Sequence, residues 1–259
     1  MEQTKIYTAL KGVRGRKAAD LRLLEQVLVR FSELIVEHPE IKEADINPLL
    51  ASENGLLALD ARLILYGAKV QVKDLPRPAI RPYPTEYISS WTMKDGTAVT
   101  FRPIRPEDEL LMVGFHKTLS EQSVYLRFFF QDHLDARVAH ERLVRQCFID
   151  YDNEMALVAE CIDPQTGRPE ILGVGRLKRQ LSPIDGELAV IVGDRYQGRG
   201  MGTEIVRRLI EVARHEGLQR IAAIILAENT AMVALARRFH FAIAQGEDPV
   251  SLTATFELK

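Results

Sequence analysis

Several features that would place a protein in a special class are scarce in this sequence. Its 259 residues include two cysteines, Cys147 and Cys161, which are too few for a disulfide scaffold and are expected to be reduced thiols. No apolar run approaches the ~20 residues that a membrane helix needs, and the segment MEQTKIYTALKGVRGRK lacks the apolar core of a signal peptide. A formal net charge of −2 gives no overall electrostatic reason to expect a nucleic-acid partner. We therefore expect a cytoplasmic globular protein that acts on neither membranes nor nucleic acids.

The histidines form no recognisable catalytic or metal-binding pattern. The sequence contains six of them, and none falls at the spacing of a metal site or of a Ser–His–Asp arrangement. We expect no metal ion in this protein. The histidines that we interpret as surface or structural residues are His38, His116, His133, His140 and His215.

A proline-rich segment divides the chain into two parts. Four prolines fall between positions 76 and 84, a density that neither a helix interior nor a central strand tolerates. Such a segment is typical of a stiff, extended connector. We therefore predict a small N-terminal module at residues 1–74, a linker at 75–92 and a larger domain at 93–259.

Hydrophobic spacing predicts a mixture of helices and strands in both parts. In the module, apolar residues recur at helical spacing from Leu21 to Ile35, with Asp20 as a candidate cap and two hairpin-paired strands within 44–62. In the larger domain, antiparallel strands come first, and a strand–helix–strand–helix pattern follows over 187–239. This order predicts a fold of the α/β (α+β) class.

One glycine-rich loop is the strongest candidate for binding chemistry. The loop Gln197-Gly198-Arg199-Gly200-Met201-Gly202 joins a predicted strand to a predicted helix. That order directs several backbone N–H groups and the positive end of a helix at one point, which makes an anion site. Glycines allow a phosphate to approach the backbone closely. A helix-capping turn without a ligand would have a similar local sequence.

Two common phosphate-loop motifs fit this segment poorly. A Walker loop requires GxxxxGK followed by Ser or Thr, which is absent. A dinucleotide-binding GxGxxG loop would need a third glycine where Thr203 stands, and an acidic residue about twenty positions later, where Leu218 and Gln219 stand. The segment instead resembles the pyrophosphate loop of GNAT N-acetyltransferases, Gln/Arg-x-x-Gly-x-Gly/Ala.

This resemblance implies a GNAT fold, a mixed and mostly antiparallel central sheet flanked by helices, with acetyl-CoA as co-substrate. Gln197, Gly200 and Gly202 match the motif fully. The residues that it implies as cofactor contacts in the strand and loop are Val190, Ile191, Val192, Gln197, Gly198, Arg199, Gly200, Met201, Gly202 and Thr203.

A second segment, residues 228–241, resembles another signature of the same family. In that signature an Asn at a strand end precedes a helix that closes on Gly-Phe, and the Asn contacts the pantetheine arm or a bound water. The resemblance gives Asn229 this role, and a helix cap is the alternative role; both are compatible. Two positions depart from the family. His240 replaces the glycine at a position that often needs a positive φ, and Ala236 replaces a tyrosine that serves many members as general acid.

Acetyl transfer to an amine also needs a group that removes a proton. Glu187 is the best candidate because it begins the strand that leads into the loop, ten residues before Gln197, which would place its carboxylate beside the thioester. A solvated glutamate at a strand end is the alternative interpretation, and Glu228 is a weaker candidate base. A backbone N–H between Leu188 and Val190 would stabilise the oxyanion.

Four further segments resemble a narrower group of enzymes. Residues 104–108 (IRPED) and 119–129 (LSEQSVYLRFF) look like the first helices of bacterial protein lysine acetyltransferases, whose GNAT domain follows a region related to ADP-forming acyl-CoA synthetases. Residues 10–16 (LKGVRGR) and 45–49 (DINPL) are similar to the end of the synthetases' ATP-grasp subunit. We therefore expect a partial ATP-grasp module before the acetyltransferase domain.

The resemblance implies a substrate as well. In the ATP-grasp family Asn47 and Asp60 would correspond to magnesium ligands, but most of an ATP-grasp fold is missing, so we expect no ATP turnover. The implied reaction is direct acetyl transfer from acetyl-CoA to a lysine ε-amine of a protein, with an AMP-forming acyl-CoA synthetase as the expected acceptor. The alternatives are a small-molecule N-acetyltransferase and a catalytically silent acyl-CoA sensor.

Overall fold

The computed structural model describes residues 4–12, 17–53, 55–67, 70, 75, 81–130 and 132–258. The chain divides into two compact units, Met1–Pro82 and Tyr83–Lys259, and each is described by itself. In the described part of the chain, no helix is both long and apolar enough to cross a bilayer.

The described residues of the first unit form two helices and two short antiparallel ladders. Its elements are α1 (Lys5–Leu10), α2 (Leu21–Glu37), β1 (Ile41–Ile46), β2 (Leu49–Ser52), β3 (Gly55–Ala58) and β4 (Ala61–Leu65). Asp20 caps α2 as predicted, because its side chain accepts a hydrogen bond from the Leu23 N–H at 2.9 Å.

The predicted hairpin forms, but each of its two strands is interrupted. β1 pairs with β4, and β2 pairs with β3, both antiparallel. Pro48 separates β1 from β2, and a proline has no N–H to offer to a ladder. Each predicted strand is therefore two shorter strands.

The second unit is built on one sheet of eight strands. Its helices are α3 (Glu109–Lys117), α4 (Glu121–Phe128), α5 (Leu134–Arg137), α6 (His140–Cys147), α7 (Met201–His215) and α8 (Thr230–Arg238). Its strands are β5 (Ser89–Thr92), β6 (Ala98–Pro103), β7 (Glu154–Ile162), β8 (Pro169–Arg179), β9 (Asp185–Val192), β10 (Arg220–Leu226), β11 (Ala242–Gln245) and β12 (Ser251–Glu257). The strand order is β11-β12-β10-β9-β8-β7-β6-β5.

One parallel contact interrupts an otherwise antiparallel sheet. β9 and β10 pair in parallel at three positions, Asp185–Glu187 against Arg220–Ala222. On its other side β9 pairs with β8 along Gly186–Val192. The edge of β9 beyond Glu187 therefore has no ladder partner in β10, and a gap opens between the two strands.

The two faces of the sheet carry separate hydrophobic cores. Alternate residues of β7 show this: Leu157 belongs to one core and Val158 to the other. α7 and α8 cover the Leu157 face, with Ile205 and Leu209 fully buried. The buried hydrophobic residues of α3, α4 and α6 lie in the Val158 core. The gap between β9 and β10 thus has helices on both sides.

The sheet begins earlier than the predicted domain start at residue 93. Ser89–Thr92, which the sequence assigned to the linker, form the edge strand β5 and pair with Ala98–Phe101 of β6. The second unit begins at Tyr83. Pro76 and Pro78, on which the linker prediction partly rested, lie outside the described residues. A four-residue edge strand is too short to show alternation in the sequence.

A buried cluster of charged side chains lies at the start of the segment that resembles bacterial protein lysine acetyltransferases. The Arg102 guanidinium donates to both Asp108 carboxylate oxygens, at 2.6 and 2.7 Å, and to Glu160. Asp108 also accepts from the Arg105 N–H at 2.9 Å. The Asp108 carboxylate therefore ties the turn before α3 to strand β6.

Candidate active site

The glycine loop has the conformation that a phosphate site requires. Gly198 and Gly200 have φ of 70° and 92°, a region that side chains disfavour. Gly200 is the N-cap of α7, and no side chain of the described residues caps that helix. The N–H groups of Met201, Gly202 and Thr203 at the first turn are therefore available for an anion. A Cβ atom on Gly198 or Gly200 would meet no atom within 4 Å, so the space in front of the loop is open.

The predicted loop residues contribute in different ways. The Gln197 amide donates to the Ser123 hydroxyl at 2.9 Å and to the Val192 carbonyl at 3.0 Å, so it ties the loop to α4 and β9. The Arg199 guanidinium is exposed and pairs with Asp95 at 3.2 Å. The Met201 side chain is 1% exposed and lies in the core, which leaves its N–H as its possible contact with a ligand. Sequence spacing did not separate backbone from side-chain roles.

A groove of about 400 Å³ runs from the loop along the end of β9, where β9 no longer pairs with β10. Its floor is formed by the predicted strand residues Val190, Ile191 and Val192, and by the loop residues Gly198, Gly200, Gly202 and Thr203. One wall comes from α4 and the other from Asn229 and α8. The residues of these walls are Ser123, Leu126, Arg127, Asn229, Ala231, Met232, Leu235 and Arg238. The structure thus brings nine of the eleven predicted cofactor contacts, Gln197 and Asn229 included, to one surface.

The backbone of β9 presents polar groups to this groove. The Gly193 N–H donates to the Leu172 carbonyl on the β8 side, whereas the Ile184 carbonyl accepts from Arg220 on the β10 side. Alternate residues of a strand direct their backbone groups to the same edge. Leu188 and Val190 therefore direct their N–H and C=O groups into the gap. Such groups can bind an amide-containing chain as a further strand would.

Asn229 performs the structural role that was its alternative assignment. Its side-chain oxygen accepts a hydrogen bond from the Met232 N–H at 3.0 Å and so caps α8. Asn229 also lines the groove, so its amide nitrogen is placed to meet a ligand. At the other end of α8, His240 has a φ of 63°, as expected where the family has glycine. Ala236 is buried and offers no acid.

Glu187 lies beside the groove rather than on its wall. Its side chain is exposed and lines a second depression, of about 620 Å³, with Asn153, Lys178 and Ser182. Glu187 is also the residue at which the β9–β10 pairing ends, opposite Ala222. Three residues of strand, roughly 10 Å, separate it from Val190. The carboxylate is therefore at the inner end of the gap and faces an opening of its own.

Arg127 is a groove residue that sequence reasoning did not single out. It lies within the segment that resembles bacterial acetyltransferases, but nothing in that pattern distinguishes it from a surface arginine. Burial, reinforced by the charge of Arg176, lowers the pKa of the Arg127 guanidinium to about 10, while Glu187 and Glu154 act in the opposite direction. The residue is recognised once α4 is seen to lie against β9.

Comparison with known proteins identifies the second unit. An acetyltransferase (GNAT) domain model matches residues 98–242, more than half of the chain. The chain belongs to the GNAT acetyltransferase family. The GNAT domain is an acyl-CoA-dependent N-acetyltransferase domain, and acetyl-CoA is the co-substrate that this family and the groove support.

Relatives and structures agree with this assignment. The chain is similar to the acetyltransferase PA5475 of Pseudomonas aeruginosa, with 32% identity over 142 residues, which cover 54% of this chain and 73% of the relative. The crystal structure of the GNAT domain of S. lividans PAT matches with a TM-score of 0.61 and 24% identity, covering 68% of this chain and all of that domain. The latter likeness shows the fold.

The first unit matches a different family. An ATP-grasp domain model covers residues 1–65. Over 65 residues, 25% of this chain, the sequence is 45% identical to the β subunit of the ADP-forming acetate–CoA ligase I of Pyrococcus furiosus. The chain spans 28% of that subunit. Asn47 and Asp60, which would correspond to magnesium ligands, are neighbours, since the Asn47 N–H donates to the Asp60 carbonyl at 3.1 Å.

Proposed function

We propose that this acetyltransferase moves an acetyl group from acetyl-CoA directly to the ε-amino group of a lysine in a folded protein. The observation that carries the proposal is the gap between β9 and β10. Uncapped helix amides lie at its outer end, unpaired strand amides lie along it, and Glu187 lies at its inner end. A CoA thioester with its pyrophosphate at Gly200 would extend its acyl group toward that carboxylate.

Glu187 would solve the main chemical difficulty of the reaction. A lysine ammonium with a pKa of about 10.4 has its reactive neutral form roughly 4.6 kcal/mol uphill at pH 7. The Glu187 carboxylate accepts the proton, directly or through water, as the amine nitrogen bonds to the thioester carbon. The carbon–sulfur bond then breaks, and the CoA thiolate leaves. Because a free thiol has a pKa of about 8.5, departure needs no dedicated acid, in keeping with Ala236 in the family's tyrosine position.

The proposed oxyanion site is the backbone of β9. As the amine adds, negative charge develops on the thioester oxygen, and an N–H group fixed in place stabilises it without reorganisation. The Val190 N–H faces the gap within the groove, and the Leu188 N–H faces it closer to Glu187. We assign the oxyanion contact to Val190, since it lines the groove whereas Leu188 is buried.

A protein acceptor fits the second depression. Glu187 opens to solvent through it, and the adjoining Leu181 side chain is fully exposed. An exposed apolar side chain beside an exposed base suits a lysine presented on a protein surface. As acceptor we propose an AMP-forming acyl-CoA synthetase, the partner implied by the likeness to bacterial protein lysine acetyltransferases. The ATP-grasp unit, similar to part of another acyl-CoA-forming enzyme, supports a link to this metabolism.

The test combines an acceptor search with a base variant. The full chain is incubated with acetyl-CoA and a bacterial lysate, and acetylated lysines are identified by mass spectrometry; a purified synthetase and free amines are then compared as acceptors. We expect one lysine of a folded synthetase to be labelled and free amines to react poorly. Preference for a free amine would indicate a small-molecule enzyme, and CoA binding without any turnover would indicate a sensor.

Glu187→Gln tests the base within the same assay. General-base catalysis contributes about 10²–10⁴-fold, so kcat/KM at neutral pH should fall by that factor while CoA affinity is kept. Glu257→Gln removes an exposed glutamate from β12, two strands away from β9, and serves as the matched control. Unchanged turnover in Glu187→Gln would disprove the assignment of the base.

A further inference from the structure

The position of Arg127 along the groove follows from helix α4. At its beginning, α4 is attached to the phosphate loop: the Ser120 N–H donates to Asp194 at 3.1 Å, and the Ser123 hydroxyl accepts from Gln197 at 2.9 Å. Arg127 is four residues after Ser123, one helical turn or about 6 Å farther from the loop. Both residues line the groove. The Arg127 side chain therefore starts beyond the phosphate end and lies toward the acyl end.

The Arg127 guanidinium differs from most arginines of this unit in how it is partnered. Among the described residues, no hydrogen bond or ion pair joins its side chain to another residue, and its guanidinium carbon lies 4.9 Å from the centroid of the Phe128 ring. The arginine next to it differs, because Arg176 forms an ion pair with Glu154 and donates to the Gln146 carbonyl at 2.6 Å. An unpaired and partly buried cation is costly, so a ligand that brings negative charge would stabilise it.

The charges around the gap match those of the transfer step. Glu187 lies close enough to Arg127 for its charge to act on the guanidinium. Glu187 opens to the depression through which an acceptor would enter, whereas Arg127 lines the groove of the acyl donor. When the amine nitrogen adds to the thioester carbon, the nitrogen becomes positive and the carbonyl oxygen becomes negative. The carboxylate and the guanidinium would bracket these two developing charges.

We propose that Arg127 is a second catalytic residue of this acetyltransferase, whose guanidinium donates a hydrogen bond to the thioester oxygen alongside the Val190 N–H. The carbon–nitrogen bond forms as the carbonyl π electrons move to that oxygen, Glu187 accepts the amine proton, and return of the electrons breaks the carbon–sulfur bond. Arg127 neither gains nor loses a proton. This inference rests on the proposed function, and it identifies the Arg127 guanidinium as the cation that stabilises the oxyanion of that reaction.

The test separates stabilisation of the oxyanion from binding. Loss of one oxyanion donor typically lowers kcat by about 10²–10³-fold, and we expect a loss of this size for Arg127→Gln. The CoA dissociation constant of this variant, measured by calorimetry, should stay within twofold of wild type. Arg127→Lys should retain part of the activity. Millimolar guanidinium should partly restore Arg127→Ala, which a general folding defect would not allow. Arg145→Gln removes an exposed arginine from α6 and should leave kcat unchanged.

Three results would overturn the inference. Wild-type kcat in Arg127→Gln with acetyl-CoA would show that the guanidinium is not needed for the step. Loss confined to acyl groups that end in a carboxylate, such as succinyl-CoA, would make Arg127 a selectivity residue. A loss confined to the KM of the protein acceptor would place it in docking. If the wild-type chain itself transfers no acetyl group to any acceptor, the proposed function fails instead, and this inference with it.

Discussion

Two glycines at opposite ends of α7 provide a controlled test of the phosphate site. Gly200 has a φ of 92° at the beginning of the helix, and Gly217 has a φ of 72° just beyond its end. A Cβ atom at either position would meet no atom within 4 Å, so Gly→Ala adds no steric clash at either one. The left-handed region costs an L-residue about 1–2 kcal/mol. Gly200→Ala and Gly217→Ala should therefore lose a similar free energy of unfolding.

The two variants should differ in CoA binding. The 15 residues of α7 span about 22 Å, so Gly217 lies far from the loop. At Gly200 the new methyl group occupies the space in front of the first-turn amides. Each hydrogen bond to a charged phosphate contributes about 1.5–3 kcal/mol. Loss of one such bond weakens CoA binding by about 10–150-fold, since 1.4 kcal/mol is a factor of ten.

The assay pairs calorimetry with CoA and thermal unfolding of the free protein, for wild type and both variants. The expected pattern is a common loss of stability and a rise in the CoA dissociation constant confined to Gly200→Ala. CoA binding by Gly200→Ala within twofold of wild type would refute the phosphate site at α7. Equal weakening in both variants would refute it too, because the effect would then come from the helix as a whole.

Two further predictions concern the cap of α8 and a buried histidine. Asn229→Ala should lower the free energy of unfolding by about 1 kcal/mol, because the cap of α8 is lost, whereas Asn229→Ser keeps the cap. Thermal unfolding and steady-state kinetics are measured for both variants. A raised KM for acetyl-CoA in the stable serine variant would show that Asn229 contacts the cofactor directly. Burial lowers the pKa of His116 to about 4, so the unfolded chain binds a proton more readily, and stability falls as the pH drops below 6.5. The free energy of unfolding should be about 2 kcal/mol lower at pH 5 than at pH 7 because of this histidine. Denaturant unfolding at the two pH values measures this difference, and most of it should disappear in His116→Gln.

The parts of the site that local sequence predicts are those that depend on local backbone geometry. His240 was expected at a position that often needs a positive φ, and its φ is 63°. Asn229 was a candidate cap, and it is one. These features involve residues within one turn of each other. Spacing in the sequence is therefore enough to predict them.

The parts that the sequence left open depend on contacts between distant segments. The end of the β9–β10 pairing at Glu187 is set by register with Ala222, which is remote in the sequence. Arg127 enters the groove because α4 packs on β9. Met201 turns into the core because the first turn of α7 lies on the sheet. No periodicity within one segment contains this information.

The open edge of β9 also explains how one strand can serve binding and chemistry together. A strand edge that is left unpaired is unfavourable unless its N–H and C=O groups find partners, and the gap beyond Glu187 leaves those of Leu188 and Val190 without a ladder partner in β10. Acetyl-CoA would satisfy them as an added strand does, through the amides of its pantetheine arm and through its thioester oxygen at the Val190 N–H. The thioester would then lie in the groove beside Arg127, with Glu187 farther along β9 on the acceptor side. We therefore propose that the divergence of the two strands both makes room for the cofactor and sets where along β9 the reacting carbon lies.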